Sequence, residues 1–345
     1  MSAPGPGELV VGVDGGNSKT DVVIADRDGR VLAQVRGPGT RPHRVGMPAT
    51  VRAVAELVAG ARAEAGVPDG GPLAAGAFHW ANLDLPAAEE EARAALAALD
   101  LVDLLTVRND TFAVLRAGAP DGWGVAVVAG AGINACGVGP SGRVARFLAL
   151  GEITGDFGGG LSLGLAGLGA AVRAGDGRGP ATALRDLLPP VFGLPSVEDV
   201  AVAHLEGRVG AHHLLTAAPV VSAAAQDGDR VARGIVLRMA DEIVTMVVAL
   251  VERLDLTGER VPVVLGGGTV QHGPPVLLDA IRAGLAARAP GCRPAVLDVR
   301  PVAGPVLEAL DGAGAAPGAA ARIRATLALA RPVPTPAPAP GPASR

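Results

Sequence analysis

Three glycine-rich turns constrain this chain more than any other feature. They read "DGGNSKT" from Asp14, "GAGIN" from Gly130 and "GGGT" from Gly266, and each directly follows an apolar run that reads as a buried strand. Glycine at such a place lets backbone N–H groups approach an anion closely, so each turn can act as a phosphate nest. One such turn alone is more simply a tight turn. Three, all after buried strands, point to a nucleotide or another phosphate ligand. Two familiar phosphate loops are absent: the chain has no G-x-x-x-x-G-K-[ST], and no G-x-G-x-x-G opens a helix near the first strand. "DGGNSKT" leads instead from strand to strand, so phosphates would sit against a hairpin turn.

The pattern around the first turn recurs. Residues 8–14, 21–25 and 30–35 read as strands, with "DGRV" before the third. After a helix over 49–65, a strand over 72–78, a helix over 86–99 and a strand over 104–107, the order restarts. Residues 125–129, 135–138 and 144–150 read as strands, now with "SGRV" before the third. This is what a duplicated α/β domain leaves behind. Helices are expected over 111–117, 162–174, 196–206, 229–254, 274–288 and 318–330, with strands over 261–265 and 295–299. The Pro/Ala-rich tail 331–345 reads as disordered.

Composition narrows the function classes. The length of 345 residues suits two domains, and 49% hydrophobic residues allow sizeable cores. Only 2% are aromatic and none is tyrosine, so those cores must be built from Ala, Val and Leu. A net charge of -4 without a basic patch argues against nucleic acid as partner. Cys136 and Cys292 share no metal or redox spacing, which fits a reducing cytoplasm. Residues 122–142 are uncharged but interrupted by glycines, a proline and an asparagine, which suits strand and turn rather than a membrane helix. The N-terminus lacks the basic start and apolar run of a signal peptide.

Several side chains carry candidate chemistry. Asp14 ends the first strand beside a phosphate nest, and a carboxylate there implies a cation between the two, hence Mg²⁺. Capping of the turn is the alternative. Gly15, Gly16 and Asn17 would supply backbone amides, and Ser18 and Thr20 hydroxyls. Lys19 is the only lysine in the chain, and it would set a point positive charge near the phosphates. Asp110, in "RNDT", is placed either to accept a proton from an attacking hydroxyl or merely to cap the helix after it. Glu152 and Asp156, in "GEITGDFGGG", suit a polyhydroxyl ligand or a helix N-terminus. His43 lies on a loop after the third strand, where an exposed histidine is commonly without a role.

In this order, "VGVDGGNSKTDVVIAD", "NDT", "GAGIN", "GEITGDFGGG" and "VVLGGGT" resemble the BadF/BadG/BcrA/BcrD ATPase family, and within it the N-acetylglucosamine kinases. The resemblance implies an α/β fold of two ribonuclease-H-like (actin-like ATPase) domains, residues 1–118 and 119–330, with a nucleotide cleft between them. The last helix would pack back on the first domain. By carry-over, residues 14–20 form the first phosphate loop, Gly130, Ala131 and Gly132 the second, and Gly266, Gly267, Gly268 and Thr269 the adenosine loop. Asp110 becomes the catalytic base. Gly132, Asn134 and Asp156 contact the sugar, with Glu152 and His43 beside them. The implied activity is phosphorylation of an amino sugar, N-acetylglucosamine at its 6-hydroxyl, using ATP and Mg²⁺ in the cytoplasm, by a protein that can form a homodimer. An ATPase switch acting on a protein partner and a sugar-binding protein of the same fold are the alternatives. The chain departs from the resemblance where relatives often read "GDEGS": Phe157 and Gly159 stand in place of a glutamate and a serine. It also reads "TRPH" where related kinases carry an asparagine.

Overall fold

The computed structural model describes residues 5–67 and 71–329, so the tail 331–345 lies outside the described residues. Ten strands form two five-stranded sheets. The first holds β1 (Leu9–Gly15), β2 (Lys19–Asp26), β3 (Val31–Pro38), β4 (Leu73–Trp80) and β5 (Val102–Asn109), in the order β3-β2-β1-β4-β5. The second holds β6 (Gly124–Ala129), β7 (Ile133–Val138), β8 (Val144–Arg146), β9 (Pro262–Gly266) and β10 (Arg293–Val296), in the order β8-β7-β6-β9-β10. In each, three strands run antiparallel as a meander and two more add parallel to the first of them. The two sheets have one topology, as the repeated "GRV" pattern led us to expect.

β1 is apolar throughout because both of its faces are covered. Val11 and Val13 join a core with Val54, Val58 and Ala61 of the helix Met47–Glu64. Val10 faces the other way, into a core with Val306, Leu307 and Leu310 of the helix Ala303–Ala313. A Cβ on Gly12 would lie 2.5 Å from the Val306 backbone nitrogen, so glycine sets how closely that helix sits on β1. The same helix packs on the helix Asp110–Gly118, where a Cβ on Gly304 would strike the Ala113 carbonyl at 2.0 Å. On the second sheet, the helix Arg230–Arg253 buries Val236, Ile243, Val247 and Leu250.

Three readings change. The strand expected over 144–150 stops at Arg146, where the chain leaves the sheet edge for a helical turn at Gly151–Thr154. Helices Ala217–Gln226 and Ala303–Ala313 were not anticipated. The second begins "AGP", which reads as a loop, yet proline is tolerated in a first turn and the glycine is needed for the helix crossing. The chain therefore returns to the first sheet at its end. The helix Ala319–Thr326 also lies there, with Arg322 donating to the Asp28 carbonyl.

Candidate active site: a nucleotide cleft between two like sheets

Each sheet presents its glycine turn at the same corner, between its first two strands, and in each the turn's carbonyls are occupied. In the first, Thr40 N–H donates to Gly16 O at 3.0 Å and Arg41 Nε donates to Asn17 O at 2.7 Å. In the second, Gly160 N–H donates to Gly130 O at 2.8 Å and Leu161 N–H to Ala131 O at 2.9 Å. Thr269 Oγ1 also donates to Gly130 O. Gly16 N–H and Gly130 N–H close their own turns on Lys19 O and Gly132 O, so only the other amides of each turn can meet an anion. Arg41 thus braces the first turn. Asn82 Nδ2 braces it too, by donating to Asn17 Oδ1 at 3.0 Å.

The third turn is closely held. Gly267 has φ +89°, and a Cβ there would lie 2.3 Å from the Ala129 carbonyl, so only glycine brings "GGGT" beside the second turn. Gly159 repeats this device, with φ +72° and a Cβ position 2.3 Å from the Gly132 carbonyl.

Two cavities meet at the second turn. The larger, about 800 Å³, is lined by Ser18, Gly130, Ala131, Gly268 and Thr269, with apolar walls that include Leu215. The smaller, about 240 Å³, is lined by Asn17, Asp84, Asp110, Gly132 and Asn134, and again by Gly130 and Ala131. One volume therefore suits a nucleoside and the other a small acceptor, with phosphate nests at their junction.

Asp110 stands at the start of its helix, but Asn109 is the cap, accepting from Thr111 N–H at 3.0 Å. The Asp110 carboxyl lines the smaller cavity and also feels backbone hydrogen bonds from the Thr111 and Asp110 N–H groups, which act to lower its pKa. Burial and the charges of Asp14 and Asp84 push its pKa up to about 7. Asp14 is likewise pushed up to about 7, by burial and then by Asp21, against Lys19, Arg300 and Arg36. Asp21 is 1% exposed and paired with three cations: Lys19 Nζ at 3.2 Å, Arg36 Nε at 2.6 Å and Arg300 at 3.1 Å. These cations outweigh burial and hold Asp21 below the usual carboxylate range.

Mg²⁺ fits these residues. Asp14 is a partly buried carboxylate whose pKa a second carboxylate, Asp21, helps to raise, and a hard cation would relieve that. Among the described residues no group of three or more His, Cys, Asp or Glu could hold a metal. An ion here would be held by Asp14 with phosphate oxygens and water, as Mg²⁺ prefers.

Other residues singled out in the sequence are placed differently. Thr20 is fully buried and its hydroxyl donates to the Pro38 carbonyl at 2.6 Å, so it serves the sheet. Glu152 and Asp156 line a separate cavity of about 390 Å³ with Phe157 and Arg238, away from Asp110. There Arg238 stacks on Phe157 at 3.6 Å, and Asp156 accepts from Gly151 N–H and Thr154 Oγ1. His43 lies close enough to Asp84 for its charge to be felt. Asn134 donates to Asp84 Oδ1 at 3.0 Å. Asp84 itself escaped the sequence reading. Its signal was a carboxylate just past the end of a buried parallel strand, which is where open α/β sheets place their ligands.

Two like-ordered sheets, with residues of their glycine turns lining shared cavities, define a two-lobed actin-like ATPase fold. Residues 11–299 match the model of the BadF/BadG/BcrA/BcrD ATPase family, and the chain belongs to that family. It is 27% identical over 268 residues to the N-acetylmuramic acid/N-acetylglucosamine kinase of Clostridium acetobutylicum, covering 77% of this chain and 86% of that one. It is 24% identical over 278 residues to the N-acetyl-D-glucosamine kinase of Dictyostelium discoideum, with the same two coverages. A solved Chromobacterium violaceum protein, provisionally named N-acetylglucosamine kinase, shares the fold with a TM-score of 0.68 at 24% identity. That match covers 87% of this chain and 98% of the other. Among the described residues, no helix is long and apolar enough to cross a membrane.

Proposed function

We propose that this protein transfers the γ-phosphoryl group of ATP to the 6-hydroxyl of an amino sugar, N-acetylglucosamine first. The observation that carries this reading is the junction of the two cavities at Gly130 and Ala131, with Asp110 in the smaller one and the "GGGT" turn in the larger. The names of its relatives supply the sugar. Asp110 accepts the proton of the attacking hydroxyl, and burial keeps its pKa near working pH, where a general base is most effective. The amides of the two phosphate turns, together with Lys19, offset the negative charge that grows on the transferred group. Mg²⁺ bound through Asp14 would neutralise charge on the phosphates. Gly132 and Asn134 border the acceptor, with His43 near Asp84 beside them, while Glu152 and Asp156 would reach it only if the lobes close further.

We take residues 1–118 and 119–330 as the two domains, with the C-terminal helices returning to the first, in a cytoplasmic protein that can form a homodimer. The test is a panel of amino sugars and hexoses with ATP and Mg²⁺, read by the mass of the product. A product 80 Da heavier, the mass of one added phosphoryl group, is expected with N-acetylglucosamine. No phosphorylated product from any sugar would overturn the reading, and sugar-independent ATP hydrolysis would favour an ATPase switch instead.

A further inference from the structure

Asp84 stands between the lobes with one oxygen saturated. Its Oδ1 accepts from Asn109 Nδ2 of the first lobe and from Asn134 Nδ2 of the second, each at 3.0 Å. Neither asparagine is free to turn. Asn109 Oδ1 is fixed by Thr111, whose backbone N–H and hydroxyl both donate to it. Asn134 Oδ1 accepts the Ala135 N–H at 2.7 Å. Each amide must therefore present its NH₂ to Asp84. A neighbouring brace repeats the arrangement. Glu89 Oε1 accepts from Asn109 N–H at 2.9 Å and from Arg146 at 2.6 Å, and Arg146 also donates to the Asp84 carbonyl at 3.0 Å.

Among the described residues no protein donor reaches Asp84 Oδ2. Oδ2 is not among the buried atoms left without a partner, so it opens to the cavity with its acceptor capacity free for a ligand. Asp84 also lines the same small cavity as Asp110.

We propose that Asp84 is a specificity-determining residue of the acceptor site, whose Oδ2 accepts a hydrogen bond from a hydroxyl of the polyhydroxyl acceptor other than the one that is phosphorylated. The inference rests on the kinase reading for the nature of the acceptor. Burial raises the Asp84 pKa against His43, Asn109, Arg146 and Asn134, and a donor from the ligand would add to those partners.

Asp84→Asn separates this role from the brace. The asparagine oxygen can still receive both amides, while its NH₂ replaces Oδ2 and offers a donor where an acceptor stood. Sugar binding is measured by calorimetry on wild type and variant, with N-acetylglucosamine and its singly deoxygenated analogues, alongside ATP affinity and thermal unfolding. Losing a hydrogen bond to a charged group should weaken N-acetylglucosamine binding about ten- to a hundredfold. ATP affinity and the unfolding midpoint should stay unchanged. One deoxy analogue should bind wild type as weakly as the variant binds the parent sugar, with no further loss when both changes are combined. A merely structural role would weaken all analogues by one factor, and losses that multiply for every analogue overturn the proposal. So does unchanged affinity in the variant, or a wild type that binds no sugar. Binding needs no turnover, so a wild type that binds sugars without phosphorylating them sinks the kinase reading and leaves the Asp84 comparison decisive.

Discussion

His79 Nε2 of β4 lies 2.7 Å from Glu308 Oε2 of the helix Ala303–Ala313, with His79 fully buried. The pair belongs to a polar row that crosses the first sheet at one level. Arg36, Asp21, Asp14, His79 and Arg108 are successive register partners from β3 to β5. The C-terminal segment closes the row from above: Arg300 pairs with Asp21, and Glu308 with His79 and Arg108. Asp14 sits at its centre, and Arg300 from the C-terminal segment acts on its charge.

Glu308→Gln should therefore lower folding stability by about 2 kcal/mol at neutral pH, below the cost of breaking a fully buried pair because Glu308 retains some exposure. Burial pushes the Glu308 pKa up, but the hydrogen bond and charge of His79, with Arg108 and Arg116, outweigh it and hold it low. A depressed carboxylate pKa stabilises the fold above its unfolded value, and that gain is lost as pH falls through the folded value. Urea unfolding should accordingly show the variant's deficit at about pH 7 shrinking towards about pH 3. A deficit independent of pH would assign the effect to packing.

Asp110→Asn should reduce kcat by about a hundredfold or more, the usual scale for loss of a general base. In wild type, kcat/KM should rise with pH through the region of about 7, because the base works only when deprotonated. Bound Mg²⁺ stabilises the carboxylate form of Asp14 and relieves its repulsion of Asp110. Raising Mg²⁺ should therefore move the acidic limb to lower pH. A limb that does not respond to Mg²⁺ would disconnect the two carboxylates.

Lys19→Ala should raise the KM for ATP about tenfold through the lost charge at the phosphates. Stability should hold within about 0.5 kcal/mol, since Lys19 is 48% exposed and Asp21 keeps Arg36 and Arg300. Steady-state kinetics and thermal unfolding check both halves. An unchanged KM would make this lysine an ordinary surface residue.

Gly159→Ser restores the residue many relatives carry, yet it should destabilise the protein by about 2 kcal/mol, because φ +72° and the Gly132 carbonyl leave no room for a side chain. Activity should fall with it, as the second phosphate turn is displaced. A variant as stable as wild type would mean that this loop adopts another conformation.

The position of the two glycine turns between the first strands of each sheet was legible because it is local. A buried strand, glycines and a following strand are short-range signals, and the "GRV" repeat exposed the shared sheet order. Asp110 could be named but not assigned, since a cap and a base look alike until Asn109 is seen to take the cap. Glu152 and Asp156 share the site's composition but line another cavity.

By itself, the sequence determined that two α/β units would fold around apolar strands and present three glycine turns, because strand period, glycine placement and helix signals act over a few residues. Only the tertiary structure decided which charges share a neighbourhood. Asp84 meets Asn109 and Asn134, and Asp14 acquires Arg300, Asp21 and Arg36. Those partners come from distant segments, and both electrostatics and hydrogen bonding depend on separation in space, which no local pattern encodes.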